Sequence, residues 1–125
     1  MSPPPGGPSR KVAVATLERP AERATCCPRL HEAVELVGKR WTGAILYVLL
    51  VHGDSMRFSE IAHAVPGLSD RLLSERMKEL EACGIVERRV ADTSPVRVEY
   101  ELTDRGRELA PALKELKRWA DRYLD

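Results

Sequence analysis

The sequence predicts a mostly helical α+β domain with a small β-hairpin. Between residues 30 and 83, four segments repeat apolar residues at helical spacing, and two β-type stretches then flank a four-residue turn. A long amphipathic stretch closes the chain. With 125 residues, 43% apolar and 31% charged, the chain is of a size and balance to bury one core as one globular domain. Its longest apolar run, Ala44 to Val51, is far too short to cross a bilayer. The first residues lack the basic start and apolar core of a secretory signal, so a cytoplasmic protein is expected.

Residues 1–25 read as a flexible tail. Ser2-Pro3-Pro4-Pro5-Gly6-Gly7-Pro8 cannot build a regular element, because proline lacks the N–H and glycine adds backbone entropy. Val12 to Leu17 is a short apolar patch within that tail. The domain is expected over 26–125. Leu30, Ala33, Val34 and Val37 lie on one helical stripe that Gly38 ends. A second helix fits Thr42 to Val51, with Trp41, Ala44, Ile45, Val48 and Leu49 on one stripe and Leu46 and Leu50 on another, so burial on more than one face is expected. Ser59 is the expected N-cap of a third, short helix reaching Val65, with Phe58 placed to pack on its entry turn. After Pro66-Gly67, Ser69 caps a fourth helix that runs to Cys83 and stops at Gly84. Ile85 to Ala91 and Val96 to Leu102 then form a hairpin around Asp92-Thr93-Ser94-Pro95. Thr103 caps a last helix reaching Leu124, with Leu109, Leu113, Leu116, Ala120 and Leu124 along one side, and Pro111 should kink or locally unwind it.

Two short helices joined by a tight turn and followed by a hairpin make the plan of a winged helix-turn-helix. On the fourth helix, Leu73, Met77 and Leu80 share the core direction, with Leu72 and Cys83 at its margin. The opposite face carries Arg71, Ser74, Glu75, Lys78 and Ala82, the face such a helix would lay in the major groove of duplex DNA. Arginine pairs well with guanine, and serine and lysine reach bases or phosphate. Arg76 points partly inward and reads as an ion-pair partner within the domain. Arg88, Arg89 and Arg97 bring positive charge to the hairpin, where it would lie along the backbone or in the minor groove. Ser69, Arg71, Ser74, Lys78, Arg88, Arg89 and Arg97 are therefore the candidate DNA-binding residues. The plainer reading of both surfaces is a solvated face of mixed charge. Net charge is only +1, so binding must come from segregation of charge by face.

Cys27-Pro28, the block Gly38-Lys39-Arg40-Trp41-Thr42, Arg57-Phe58-Ser59-Glu60-Ile61 and Pro66-Gly67-Leu68-Ser69 occur in that order. Arg71, Leu73-Ser74, Lys78-Glu79-Leu80-Glu81, Gly84-Ile85-Val86 and Pro95 through Thr103 follow. This ordered set resembles the HxlR family of bacterial regulators, a winged-helix group similar to the MarR regulators, from about Cys27 to the C-terminus. The resemblance implies a homodimer built on the first and last helices, binding paired half-sites near promoters, usually as a repressor and sometimes as an activator. It implies that Ser69 to Gly84 is the recognition helix and Asp92 to Pro95 the wing tip. Family members usually carry Gly-Gly-Lys-Trp where this chain has Gly38-Lys39-Arg40-Trp41. Trp119, Tyr123 and the leucine stripe also give the last helix more apolar surface than one small domain is expected to cover.

Some members of this family sense oxidants or electrophiles through a cysteine in the position of Cys27. Cys27, with Cys26 beside it, is therefore the candidate redox-sensing residue, near Arg23 and Arg29 and close to a helix start. No cysteine occurs in the last helix, so oxidation would join Cys26 or Cys27 to the same residues of a partner, or stop at a sulfenate or small-thiol adduct. Plain packing of the thiols is the alternative, and Cys83 reads as structural. Cys26, Cys27 and His31 lack the paired spacing of a zinc site, and no metal or cofactor is expected. His52 and His63 read as solvated or capping residues. No Gly-rich phosphate loop, nucleophile elbow or paired carboxylate motif is present, so the chain is not expected to be an enzyme. A winged helix that binds only another protein, with an oxidant or small molecule as effector in either case, completes the range of readings.

Overall fold

The computed structural model describes residues 27–125. The tail expected at 1–25, the patch Val12–Leu17 and Cys26 lie outside the described residues. The chain divides into two units between Leu36 and Val37. The first carries almost all of α1 (Pro28–Val37). Proline suits its first position, where a missing N–H leaves no bond unmade. None of its residues is buried, and Leu30 and Val34 are exposed.

In the second unit, Trp41 precedes α2 (Thr42–His52) at φ 75, the left-handed region, which costs a bulky residue about 1–2 kcal/mol. Gly53 takes the same region at the other end without that cost and donates its N–H to Leu49 O at 3.1 Å. Thr42, Ile45, Leu46 and Leu49 are buried, so two faces of α2 meet the core as expected, although Ala44 is exposed. β1 (Met56–Arg57) was not foreseen, since two residues are too few to show alternation. α3 is Phe58–Ala64, and its N-cap is Arg57, not Ser59. The Glu60 carboxylate accepts the Arg57 N–H at 2.8 Å, while Ser59 is exposed. Strand pairing of Met56 and Arg57 moves the helix start two residues earlier. α4 (Asp70–Ala82) begins as expected, with Ser69 Oγ accepting from Leu72 N–H at 3.1 Å, and ends before the left-handed Gly84.

β2 (Val86–Ala91) and β3 (Arg97–Leu102) form the expected hairpin, and β1 extends it to an antiparallel sheet of order β1-β3-β2. Val86 stands opposite Leu102, and Met56 opposite Tyr100. These strands cover a core of Ile45, Leu46, Leu49, Ile61, Leu73, Met77 and Leu80. Each such side chain, fully buried, contributes about 1.5–3 kcal/mol.

The single last helix expected from Thr103 is two helices, α5 (Asp104–Arg107) and α6 (Ala110–Tyr123). Thr103 caps α5 through its hydroxyl, which accepts from Gly106 N–H at 3.1 Å. Pro111 lies in the first turn of α6 and not inside a continuous helix, so the local unwinding expected of it is a full break before it. Gly106 is buried where a Cβ would stand 2.3 Å from the carbonyl oxygen of Ile85, which fixes α5 against the start of the wing. No residue of α6 is fully buried. Among the described residues, no helix is long and apolar enough to cross a membrane.

Candidate nucleic-acid interface

α3, the turn at Pro66-Gly67, α4 and the hairpin follow one another as a helix-turn-helix with a wing. α4 buries Leu73, Arg76, Met77 and Leu80, which leaves Arg71, Glu75, Lys78 and Ala82 exposed on the other side and Ser74 half-buried. Ser69 is exposed but committed to its cap. Arg71 is 91% exposed, and its ion-pair partner among the described residues is Glu75 at 3.5 Å, an i,i+4 pair worth about 0.3–0.5 kcal/mol and easily exchanged for a stronger partner. Lys78 is exposed and has no ion-pair partner among the described residues. α4 thus presents two cations to solvent about two helical turns apart.

The wing arginines do not act as one group. Strand alternation puts Arg88 on the side of Val86 and Val90, opposite Tyr100, the side that packs on the helices near its base. Arg89 and Arg97 lie on the other side with Glu87, Glu99 and Glu101, and β1 sets Arg57 beside Glu99. Arg89 reaches Glu101 at 2.7 Å and Glu87 at 3.4 Å, and Arg107 reaches Glu101 at 2.9 Å. Arg97 is 3.6 Å from Glu99, a looser pair at the tip end of β3. Arg88 has no ion-pair partner among the described residues, so it is the wing cation most open to a phosphate.

Arg76 behaves as expected of an inward charge. It is 9% exposed, donates Nε–H to the carbonyl oxygen of Arg40 at 2.9 Å and lies 3.3 Å from Glu79. The Glu79 carboxylate also accepts from Lys39 Nζ at 2.8 Å, and this bond, with the nearby Arg76 charge, holds its pKa below the usual carboxylate range. This link is not legible in the sequence, because Lys39 lies 40 positions from Glu79 and Arg40 lies 36 from Arg76.

Cys27 is exposed just before α1, with its carbonyl accepting from His31 N–H at 3.0 Å. Its Sγ accepts from Leu30 N–H at 3.4 Å, and that bond, helped by the Arg29 N–H and charge, draws the thiol pKa down. A helix N-terminus favours the thiolate in this way. Cys83, expected on the inner margin of α4, is instead an exposed free thiol, because it stands at the C-cap of the helix, past Leu80, the last buried residue of α4. His52 and His63 are exposed. No three His, Cys, Asp or Glu side chains among the described residues stand close enough together to hold a metal ion. A cavity of about 310 Å³ lies between Leu49, Leu50, Asp54, Leu102, Glu101 and Arg107, but its Arg107 and Glu101 are already satisfied by each other.

The family model for HxlR-like helix-turn-helix proteins matches residues 36–125. The HTH-type transcriptional regulator YvaP of Bacillus subtilis is 52% identical over 99 residues, covering 79% of this chain and 90% of YvaP. The HTH-type transcriptional regulator YodB of the same organism is 43% identical over 101 residues, covering 81% of this chain and 88% of YodB. The structure of reduced YodB matches with a TM-score of 0.72 and 42% identity, over 81% of this chain and 97% of that one. Quinone-bound YodB matches with a TM-score of 0.68 and 41% identity, over 78% and 100%. The redox regulator HypR in its oxidised form matches with a TM-score of 0.72 and 34% identity, over 79% and 99%.

Proposed function

The chain belongs to the HxlR-like helix-turn-helix family of transcriptional regulators, and from that premise we propose that it binds paired half-sites in duplex DNA as a homodimeric repressor. Residues 26–125 are assigned as the DNA-binding and dimerisation domain, with binding and not catalysis as its work. α4 enters the major groove, and the wing lies on the backbone or in the minor groove. The observation that carries this reading is the capped helix α4 with Arg71 and Lys78 exposed about two turns apart beside the wing. Arg71, Ser74 and Lys78 are assigned to base edges, with Ser69 at the helix entry. Arg88 and Arg97 are assigned to phosphate, and Arg89 ranks below them because its guanidinium is held by two carboxylates. Exposed Leu116, Trp119 and Tyr123 on α6 support the dimer, as does apolar Leu30 and Val34 exposure on α1.

Fluorescence anisotropy against DNA from the chain's own upstream region, with random duplex as competitor, tests the reading. Tight, competitor-resistant binding is expected, and Arg71→Ala and Lys78→Ala should each cost about 1–3 kcal/mol. Binding that competitor abolishes would favour a protein-interaction role.

A second reading adds an oxidant or electrophile as effector. Cys27 supports it, as an exposed thiol whose sulfur accepts a helix N–H, and so does the company of a quinone-bound YodB and a redox-regulating HypR. Oxidation would join the Cys27 thiolate to a thiol of the partner protomer or a small thiol, with two electrons passing to the oxidant. Cys26 lies outside the described residues and shares the assignment from sequence alone.

A further inference from the structure

Arg76 is the only charged side chain among the buried residues described. A buried charge has to be paired, and an apolar side chain of similar size would fill the core as well or better. Its polar contacts among the described residues lead, directly or through Glu79, to one place, the turn Gly38–Trp41 that leads into α2. Arg76 Nε–H holds the Arg40 carbonyl oxygen at 2.9 Å, and Glu79 joins Arg76 at 3.3 Å to Lys39 at 2.8 Å. The same turn also meets the turn between α3 and α4, since the Trp41 ring lies 3.6 Å from where a Gly67 Cβ would be. The Trp41 backbone sits in the left-handed region, a setting that persists only where surrounding contacts enforce it.

These contacts bear on rotation of α4 about its own axis. At a side-chain radius of about 6 Å, a turn of about 20° moves the tips of Arg71 and Lys78 by about 2 Å. That exceeds what a paired hydrogen bond to a base edge tolerates. We propose that Arg76, Glu79 and Lys39 are positioning residues for base reading, which lock the rotation of α4 to the Gly38–Trp41 turn and so set sequence selectivity without touching DNA. The proposal rests on the reading of α4 as the recognition helix.

The test uses the full-length protein and a duplex that the wild type selects from a random library. Arg76→Lys keeps the charge but loses the planar fork, and Glu79→Ala removes the bridge. Both should lose about tenfold in the ratio of selected-duplex to random-duplex affinity, the scale of one base contact. Affinity for random duplex and its salt dependence should stay unchanged, and Glu79→Gln should recover part of the ratio. In a Trp119→Phe background, Trp41 emission should shift in both variants. If Arg76→Lys does not fold, the half-exposed Lys39→Ala carries the test in the same direction. A selective wild type whose folded variants keep full selectivity would overturn the latch alone. A wild type that selects no sequence would overturn the recognition-helix reading and the latch with it.

Discussion

Arg88 and Arg89 are neighbours in sequence but opposite in consequence, and substituting each by alanine separates phosphate binding from wing stability. Arg89 holds Glu101 at 2.7 Å and Glu87 at 3.4 Å, and those carboxylates face each other across the β2–β3 ladder. Exposed pairs are worth about 0.2–1 kcal/mol each, and Glu101 keeps Arg107 at 2.9 Å when Arg89 is lost. Arg89→Ala should therefore cost about 1 kcal/mol, a fall of about 4–8 °C in melting temperature. It should leave the salt dependence of DNA binding unchanged, because no phosphate contact is removed. Arg88→Ala breaks no ion pair among the described residues, so stability should stay within about 0.5 kcal/mol. If Arg88 meets one phosphate, the slope of log affinity against log salt should flatten by about 0.9. Between about 50 and about 200 mM salt, the wild type should then lose about 3.5-fold more affinity than the variant. Anisotropy titrations at several salt concentrations, beside thermal melts, read both quantities. An unchanged slope in Arg88→Ala, or a flattened slope with full stability in Arg89→Ala, would refute the assignment of the two faces.

Four further outcomes are expected. With Cys26 and Cys83 replaced by serine, alkylation of Cys27 should rise with pH around a midpoint below that of the denatured chain. Its folded pKa is depressed by the Leu30 N–H, so the thiolate fraction near neutral pH is larger in the folded protein. A midpoint equal to the denatured one would remove that cause. Cys27→Ser should also abolish any loss of DNA binding on diamide treatment. Trp119→Ser on exposed α6 should shift the protein from dimer to monomer in sedimentation at micromolar concentration, with helix content retained; an unmoved dimer would place the interface elsewhere. Gly106→Ala should destabilise by at least about 1–3 kcal/mol in urea unfolding, since the new methyl meets the Ile85 carbonyl at 2.3 Å. A change under about 0.5 kcal/mol would mean that α5 can move away freely.

Helix α4 was legible because its signals are local. Ser69 bonds to a backbone group three residues on, Gly84 takes a left-handed turn no other residue accepts as cheaply, and the Leu73–Met77–Leu80 stripe needs only helical geometry. The hairpin followed from turn residues between two β-type stretches, and the resemblance to HxlR-like regulators was carried by the order of such local blocks. What failed depended on remote partners. Ser59 has the right chemistry for a cap, but pairing of Met56–Arg57 with β3 sets the helix start at Arg57. Cys83 has the angular position of an inner residue, but it stands at the C-cap of α4, past the last buried residue, Leu80, where the fold leaves it exposed.

The sequence by itself therefore determined the four helices before Gly84 and the two hairpin strands, though not β1 or the break between α5 and α6, and it determined which helix is capped to carry Arg71 and Lys78 outward and that Cys27 stands at a helix start. Only the tertiary structure decided which cations are free to meet DNA. Arg89 and Arg88 are identical as residues, and it is the register of β2 against β3 that adds Glu101 to Glu87 beside Arg89 and leaves Arg88 without an ion pair among the described residues. The physical reason is range: caps, turns and periodicity act within a few residues, whereas ion pairing and burial are settled by whichever distant segment the fold brings within about 4 Å.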